Sequence, residues 1–376
     1  DQPKGLPMYW NPAKNHMELG CHTKGTKVRM YDGSVKKVES VEVGDKLMGI
    51  DSKPREVKKL LGGFGKCYRI HSNYGDSFEC NEDHILRMNQ KKYSAKTGYY
   101  WKERNIKVKE LLKHKNLSLW EQVRSPAIEY QHASNLKLDP YWLGLWLGDG
   151  FQREKVICGS YEDIERLNWL KQYANSEDRF SYSIIDYKGG LGDKTLFRFR
   201  LIDNTMLHKN NWFSKTLRNN KHIPKEYMLS SIKDRLNLLA GMIDSDGNYG
   251  RGRFTITNAD FSLLEQFKEL ARSLGFKAKI HKPSRSGISN SLKYNLRITG
   301  GISIIPTKIK RKRGEDTNVQ GSKRNLIEIE DIKDHQFYGF ELDGDQLYLL
   351  EDYTVTHNSR GGGKSYWYSL AGAKYQ

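Results

Sequence analysis

The sequence predicts a mainly β module that opens near residue 21, closes at residue 358, and is interrupted by an α+β insert. Three observations predict this. Residues 21 to about 125 carry short apolar runs at 27–31, 46–50 and 67–71, punctuated by Asp-Gly, Gly-Asp and Gly-Gly turns, which is the chemistry of strands and tight turns. β-like alternation returns from about 325 to 358. Between them, helical and strand patterns alternate and a motif recurs, the mark of two pseudo-equivalent halves. The chain therefore divides into 1–20, 21–125, 126–318, 319–358 and 359–376.

Composition bounds the function. The chain has 376 residues, with 63 Lys+Arg against 45 Asp+Glu for a net charge of +18. Such a surplus, with a pI near 9.5, points to a polyanionic partner, nucleic acid being the commonest. Hydrophobic residues at 37% and aromatics at 11% suffice for packed cores and argue against disorder. No apolar run reaches the roughly 18 residues a bilayer span needs, and the first 20 residues show no apolar signal core. Cys21, Cys67, Cys80 and Cys158 are irregularly spaced, giving neither a disulfide framework nor a CxxC metal pair. The last three read as small buried hydrophobes in a reducing, intracellular (cytoplasmic) setting. Eleven histidines without HxxxH or HxH spacing argue against zinc.

In the insert, Asp139-Pro140 reads as an N-cap with proline in the first turn. It opens a helix ending Asp149-Gly150. Ser231 to Asp234 resembles a capping box and opens a second helix ending Asp246-Gly247, 97 residues after the first such end. Each helix is followed by a short β run (156–158, 254–257), an amphipathic helix (about 161–172, 261–273) and further strands. Gly144 and Gly148, then Gly241 and Ser245, recur at spacing four, so one face of each helix is small enough for backbone to meet backbone. That contact would set Asp149 and Asp246 side by side, with Gly150 and Gly247 as C′ caps. Two carboxylates facing each other at helix C-termini are electrostatically disfavoured, and a divalent cation held by their oxygens is the natural compensation. Strand patterns add a basic face: Arg198 and Arg200, Lys277 and Lys279, and Lys293 and Arg297 alternate with apolar residues. One face of each strand would be buried and the other offered to DNA. The basic run at 308–314 reads as a solvated linker.

These helix motifs resemble those of the LAGLIDADG homing endonucleases. Residues 239–247 match the signature closely, with Met242 and Ser245 as departures, and 142–150 form a more divergent copy. The resemblance implies that Asp149 and Asp246 bind Mg²⁺ or Mn²⁺ and that each cuts one strand of double-stranded DNA. It also implies that Lys221, before Ile223-Pro224, stabilises charge, with Lys293 as its partner in the other half.

Cys21 opens the β module and Thr356-His357-Asn358-Ser359 closes it; with Asn81 to His84 they form a bracket that resembles an intein. The fold implied is a mainly β, horseshoe-like Hint splicing domain interrupted by the two-repeat endonuclease, acting as a monomer on the uninterrupted host-gene site. The implied chemistry is autocatalytic and needs no cofactor. The Cys21 thiolate, partly ionised near neutral pH, attacks the carbonyl of Gly20, with Asn81 nearby and His84 protonating the leaving amine. Ser359 captures the acyl group, and Asn358 cyclises with help from His357. Asn81 stands where the family carries threonine, Gly339 where it carries aspartate or cysteine, and Gln346 where it carries histidine. A cleavage-only Hint element, or an endonuclease that only binds DNA, is the competing expectation. Excision would join Gly20 to Ser359 and write Gly-Ser-Arg-Gly-Gly-Gly-Lys-Ser, a phosphate-cradling P-loop ending in Lys364 and Ser365. The flanks then resemble a fragment of an ATPase such as a phage terminase large subunit.

Overall fold

The computed structural model describes residues 20–72, 75–130, 136–151, 154–189, 194–203, 212–217, 220–285, 292–316 and 327–358. Two compact units emerge, one made of residues 1–126 and 321–376 and the other of 127–320. Among the described residues no helix is long and apolar enough to cross a membrane.

The split unit is almost entirely β. One sheet runs Ile327–Leu342, His22–Thr23, Phe78–Asn81, Pro54–Ser72, Lys46–Met48. Strand Ile327–Leu342 also pairs along its length with Pro54–Ser72, so it is hydrogen-bonded on both sides and closes a ring of four strands, with Lys46–Met48 outside it. A second sheet runs Leu347–Leu349, Val355–His357, Ile85–Ser94, Gly98–Lys107, with Trp120–Gln122 off Ile85–Ser94. The short first and last strands thus lie in different sheets. The core, including Val28, Leu47, Val57, Ile70, Leu86, Met88, Trp120, Phe340 and Leu350, is drawn from both ends of the chain. Burial of such side chains contributes roughly 1.5–3 kcal/mol each, so the unit needs its two halves together.

In the other unit, helix Pro140–Asp149 begins with Asp139 Oδ1 accepting from the amides of Tyr141 and Trp142. Helix Ile232–Asp246 begins with Ser231 Oγ accepting from Asp234 N. Each is followed by a sheet backed by a helix. The first sheet is Val156–Ser160, Lys194–Asp203, Phe180–Gly189 with helix Ile164–Ala174; the second is Gly247–Gly250, Arg253–Asn258, Leu292–Thr299, Lys277–Arg285 with helix Phe261–Ser273. The two long helices meet backbone to backbone. A Cβ on Gly144 would lie 2.2 Å from the Leu238 carbonyl, and one on Gly241 2.2 Å from that of Tyr141. Spacing four in small residues therefore serves as expected.

Two expectations are corrected here. Gly150 and Gly247 are not left-handed C′ caps: their φ values are −78° and −98°, and the chain runs from helix directly into extended backbone. Glycine is needed for a different reason, because a Cβ at Gly150 would sit 2.3 Å from the Trp146 carbonyl and one at Gly247 2.8 Å from Ile243 Cα. The basic run at 308–314 is not a solvated linker. Ile309 and Lys312 are buried, and the Lys308 amide donates to Asp244 Oδ2 at 2.6 Å; Asp244, itself buried and bonded by the Tyr141 hydroxyl at 2.7 Å, draws the segment in.

Candidate functional site

The split unit brings the outer junctions to a single cluster. Cys21 is 1% exposed; its amide donates to Asn81 Oδ1 at 3.0 Å, and the Asn81 amide donates to the Cys21 carbonyl. Gly339 lies against the thiol: a Cβ there would be 2.6 Å from Cys21 Sγ and 3.3 Å from the Gly20 carbonyl oxygen. Burial, helped by Cys67 and Asp83, pushes the Cys21 thiol far above its ordinary range. The expectation of a partly ionised cysteine is therefore corrected: Cys21 rests as a thiol, and to act as a nucleophile it would need a base.

His84 is completely buried, and its Nε2 lies 2.7 Å from Thr356 Oγ1. Its Nδ1 makes no hydrogen bond of good geometry among the described residues, and the Gly20 carbonyl is the neighbour that favours a proton on this ring. Burial, with His22 and His357 near, holds His84 well below the usual histidine range. At the other junction the Asn358 amide donates to the Gln346 carbonyl at 2.9 Å. Asn358 Oδ1 and His357 Nδ1 are buried without hydrogen-bond partners among the described residues. Burial lowers the His357 pKa too. The Gln346 side chain turns to the Leu342 backbone, so only its carbonyl meets Asn358. Thr356 ties the ends together, touching both His22 and His84 two residues before Asn358. Gly20 is the first described residue; Ser359, Lys364 and Ser365 lie outside the described residues.

Cys67 and Cys80 are buried as expected, whereas Cys158 is only half-buried. Burial pushes the Cys67 thiol up to about 12 and Cys80 in the same direction. Neither is an available nucleophile.

In the inner unit the carboxylates at the two helix ends come near each other. A Cβ on Gly148 would fall 3.4 Å from Asp246 Cγ, and burial plus the Asp149 charge lift Asp246 to about 6. Asn258 Nδ2 donates to Asp246 Oδ2 at 2.6 Å. Asp149 is held differently, by the buried guanidinium of Arg166 at 2.5 Å. Lys221 Nζ donates to the carbonyls of Leu147 and Gly148, the last turn of the first helix, and burial lowers its pKa. Lys312 does the same for the second helix, donating to the carbonyls of Ile243, Asp244 and Ser245 at 2.9–3.2 Å. A cation on a helix C-terminus is favourable, and here two helices are treated alike. The expected partner of Lys221, Lys293, instead sits on a strand opposite Ser284. Lys312 takes that place. The signal that could have found it is its distance of 91 residues from Lys221, close to the 97 separating the aspartates.

Arg198 and Arg200 are exposed between buried Phe197, Phe199 and Leu201. Lys279 and Arg297 are paired across adjacent strands and Lys277 faces Thr299, all six cations lying on two sheets with apolar residues turned inward. Arg198 stacks on Phe151 and Tyr187, and Arg200 pairs with Glu154. Among the described residues no group of three or more His, Cys, Asp or Glu could hold a metal ion. Asp149 and Asp246, the latter raised first by burial and then by the Asp149 charge, are the two carboxylates that would hold a divalent cation.

A family model described as Hom_end-associated Hint matches residues 21–138, and one described as homing endonuclease matches 222–304. Among curated proteins the chain is 25% identical over 354 residues to replicative DNA helicase DnaB of Mycobacterium intracellulare, covering 86% of this chain and 56% of that protein. It is 54% identical over 52 residues to the catalytic subunit of the V-type proton ATPase of Candida tropicalis, 14% of this chain and 5% of that protein. The chain thus spans about half of one relative and a small part of the other. Among solved structures it is similar to mesophilic variants of the homing endonuclease I-DmoI, at 19% identity over 43% of this chain and 87% of that one, with a TM-score of 0.30. It is also similar to the gp41-1 intein, at 21% identity over 24% of this chain and 60% of that one, with a TM-score of 0.18. The chain combines a Hint domain of the intein kind with a homing endonuclease domain carried inside it.

Proposed function

We propose that the split unit excises itself and joins its flanks, and that the inner unit cuts double-stranded DNA at the uninterrupted host site. The observation that supports splicing best is the junction cluster: Cys21 bound by Asn81, with His84 and the Asn358 strand joined through Thr356. The buried Cys21 thiol loses its proton to His84 and its sulfur attacks the Gly20 carbonyl. The peptide bond breaks, and the proton passes to the Cys21 nitrogen. Ser359 takes the acyl group, and the Asn358 side-chain amide attacks its own carbonyl, releasing the insert. Proximity provides most of the acceleration. Incubating the purified chain and weighing its products tests this. Splicing yields a 338-residue insert and a 38-residue ligated peptide, whereas separate flanks mean cleavage only and an unchanged mass refutes both.

For the inner unit, Asp149 and Asp246 would hold the divalent ion, which supplies charge neutralisation and a more acidic attacking water. Lys221 and Lys312, fixed on the helix ends, set positive charge beside both carboxylates and would stabilise the phosphate as negative charge builds on it. Arg198, Arg200, Lys277, Lys279, Lys293 and Arg297 would contact the duplex. A second reading is favoured by the Arg166–Asp149 ion pair: one carboxylate is already neutralised, so one strand is cut faster than the other. End-labelled duplex cleaved with Mg²⁺ distinguishes the two, and Arg166→Gln should even the strands if the pair is the cause. The joined Gly-Ser-Arg-Gly-Gly-Gly-Lys-Ser string supports an ATPase as host, in a cytoplasmic setting, with the terminase as the specific candidate.

A further inference from the structure

His22 follows the nucleophile directly, is completely buried, and has no role in the chemistry above. Its ring lies 4.3 Å from that of His84, centroid to centroid. Nδ1 is 3.2 Å from the Glu79 backbone carbonyl, and Nε2 is 3.2 Å from Thr356 Oγ1. A carbonyl only accepts, so Nδ1 carries the proton and donates it. Burial pushes His22 down to about 4, so at neutral pH the ring is uncharged and Nε2 has a bare lone pair. Thr356 must therefore spend its single hydroxyl proton on His22. Its oxygen is left as an acceptor for His84 Nε2. Neutral His84 then carries its proton on Nε2, and Nδ1, which makes no hydrogen bond of good geometry with the nearby Gly20 carbonyl, is left bare toward that junction.

We propose that His22 is a positioning residue for the first splicing step, fixing through the Thr356 hydroxyl the tautomer in which His84 Nδ1 is the base. This rests on the splicing reading given above. Its consequence is chemical. The Cys21 S–H proton moves to Nδ1 as the C–S bond forms at Gly20, and the same proton moves on to the Cys21 nitrogen as the C–N bond breaks. Amide and thiol become thioester and amine with nothing else consumed. In the other tautomer Nδ1 bears a proton at rest and the thiol has no base. Because Thr356 and His357 share the strand that leads directly into Asn358, the N-terminal base is also registered against the C-terminal junction.

The test uses the full chain with Asn358→Ala and Ser359→Ala, which stops the reaction after the first step. Histidine ¹⁵N NMR reads the His84 tautomer, and dithiothreitol-induced cleavage at Gly20–Cys21 reads the rate. The parent should show Nε2–H. Thr356→Val, which keeps shape but removes the hydroxyl, and His22→Phe, which keeps the ring but removes the acceptor, should mix the tautomers. Each should slow cleavage about 10²-fold, the scale of a lost general base. Thr356→Ser should restore the tautomer and most of the rate. The proposal is overturned if the parent shows Nδ1–H, if both Val and Phe variants keep Nε2–H and the parental rate, or if Ser falls as far as Val. Should one variant not fold, as judged by its amide spectrum, the parent tautomer and the other variant decide. If the parent does not cleave at all, the splicing reading fails while the tautomer measurement still answers for His22.

Discussion

At the scale of single residues, burial decides charge, and this makes the Hint unit acid-sensitive. His22 is pushed from an ordinary 6.5 to about 4 by burial, and His84 and His357 shift in the same direction. The unfolded chain therefore binds more protons than the folded one between these values. Stability is fully present above pH 6.5 and is lost as pH falls toward 4, by roughly 3 kcal/mol for His22 alone. Urea unfolding of the splicing unit's tryptophan signal at pH 7.5, 6 and 5 should show the midpoint falling steadily, and the slope should be shallower in His22→Phe. A midpoint independent of pH over that range would mean that these histidines take up protons as readily in the fold as in the unfolded chain. Such effects were not legible in sequence. Cys21, His84, Asn358 and both aspartates stand out by motif, yet nothing in a linear string distinguishes buried His22 from the exposed histidines, or reveals that Cys21 is too buried to ionise.

At the scale of elements, the paired helices carry the inner unit. Their N-caps, their small-residue faces and their Asp-Gly ends were readable because each depends on residues within one turn of each other. The strands that follow were readable as alternation, as Arg198 to Leu201 shows. What failed to show was anything set by contact across the sequence. Lys312 is drawn beneath the second helix by bonds to three carbonyls, and a run of basic residues read alone looks solvated. Likewise the length of Pro54–Ser72 depends on its long partner strand far along the chain. The helix contact makes a sharp prediction. Gly241→Ala puts a methyl group 2.2 Å from the Tyr141 carbonyl and 2.8 Å from the Leu145 amide nitrogen, with backbone on both sides and no flexible side chain to yield. Forcing the helices apart should cost more than about 2 kcal/mol and separate Asp149 from Asp246. Calorimetry should show the endonuclease transition lowered while that of the splicing unit stays in place, and DNA cutting should be lost at temperatures where the unit remains folded. An unchanged transition would mean that the helices do not meet backbone to backbone.

At the scale of the whole molecule, the two proposed chemistries draw on described residues of different units. Among the described residues, every member of one hydrophobic core lies in residues 28–350 of the split unit and every member of the other in 138–305. The polar machinery divides the same way. Cys21, Asn81, His84, Thr356 and Asn358 belong to the split unit; Asp149, Arg166, Lys221, Asp246 and Lys312 belong to the inner one. Energetic coupling between sites requires an element with two arrangements that both sites bias, and among the described residues none of these site residues is a member of the other unit's core. Substitutions should therefore separate the activities. Cys21→Ala should abolish ligation, read by mass, and leave the rate of DNA cutting within experimental scatter of the parent. Asp246→Asn, nearly isosteric, should stop cutting of at least one strand and leave the yield of ligated peptide unchanged. Loss of both activities in either variant, with both folding transitions intact by calorimetry, would show that the two units depend on one another during catalysis and that the division of labour drawn from their separate cores is wrong.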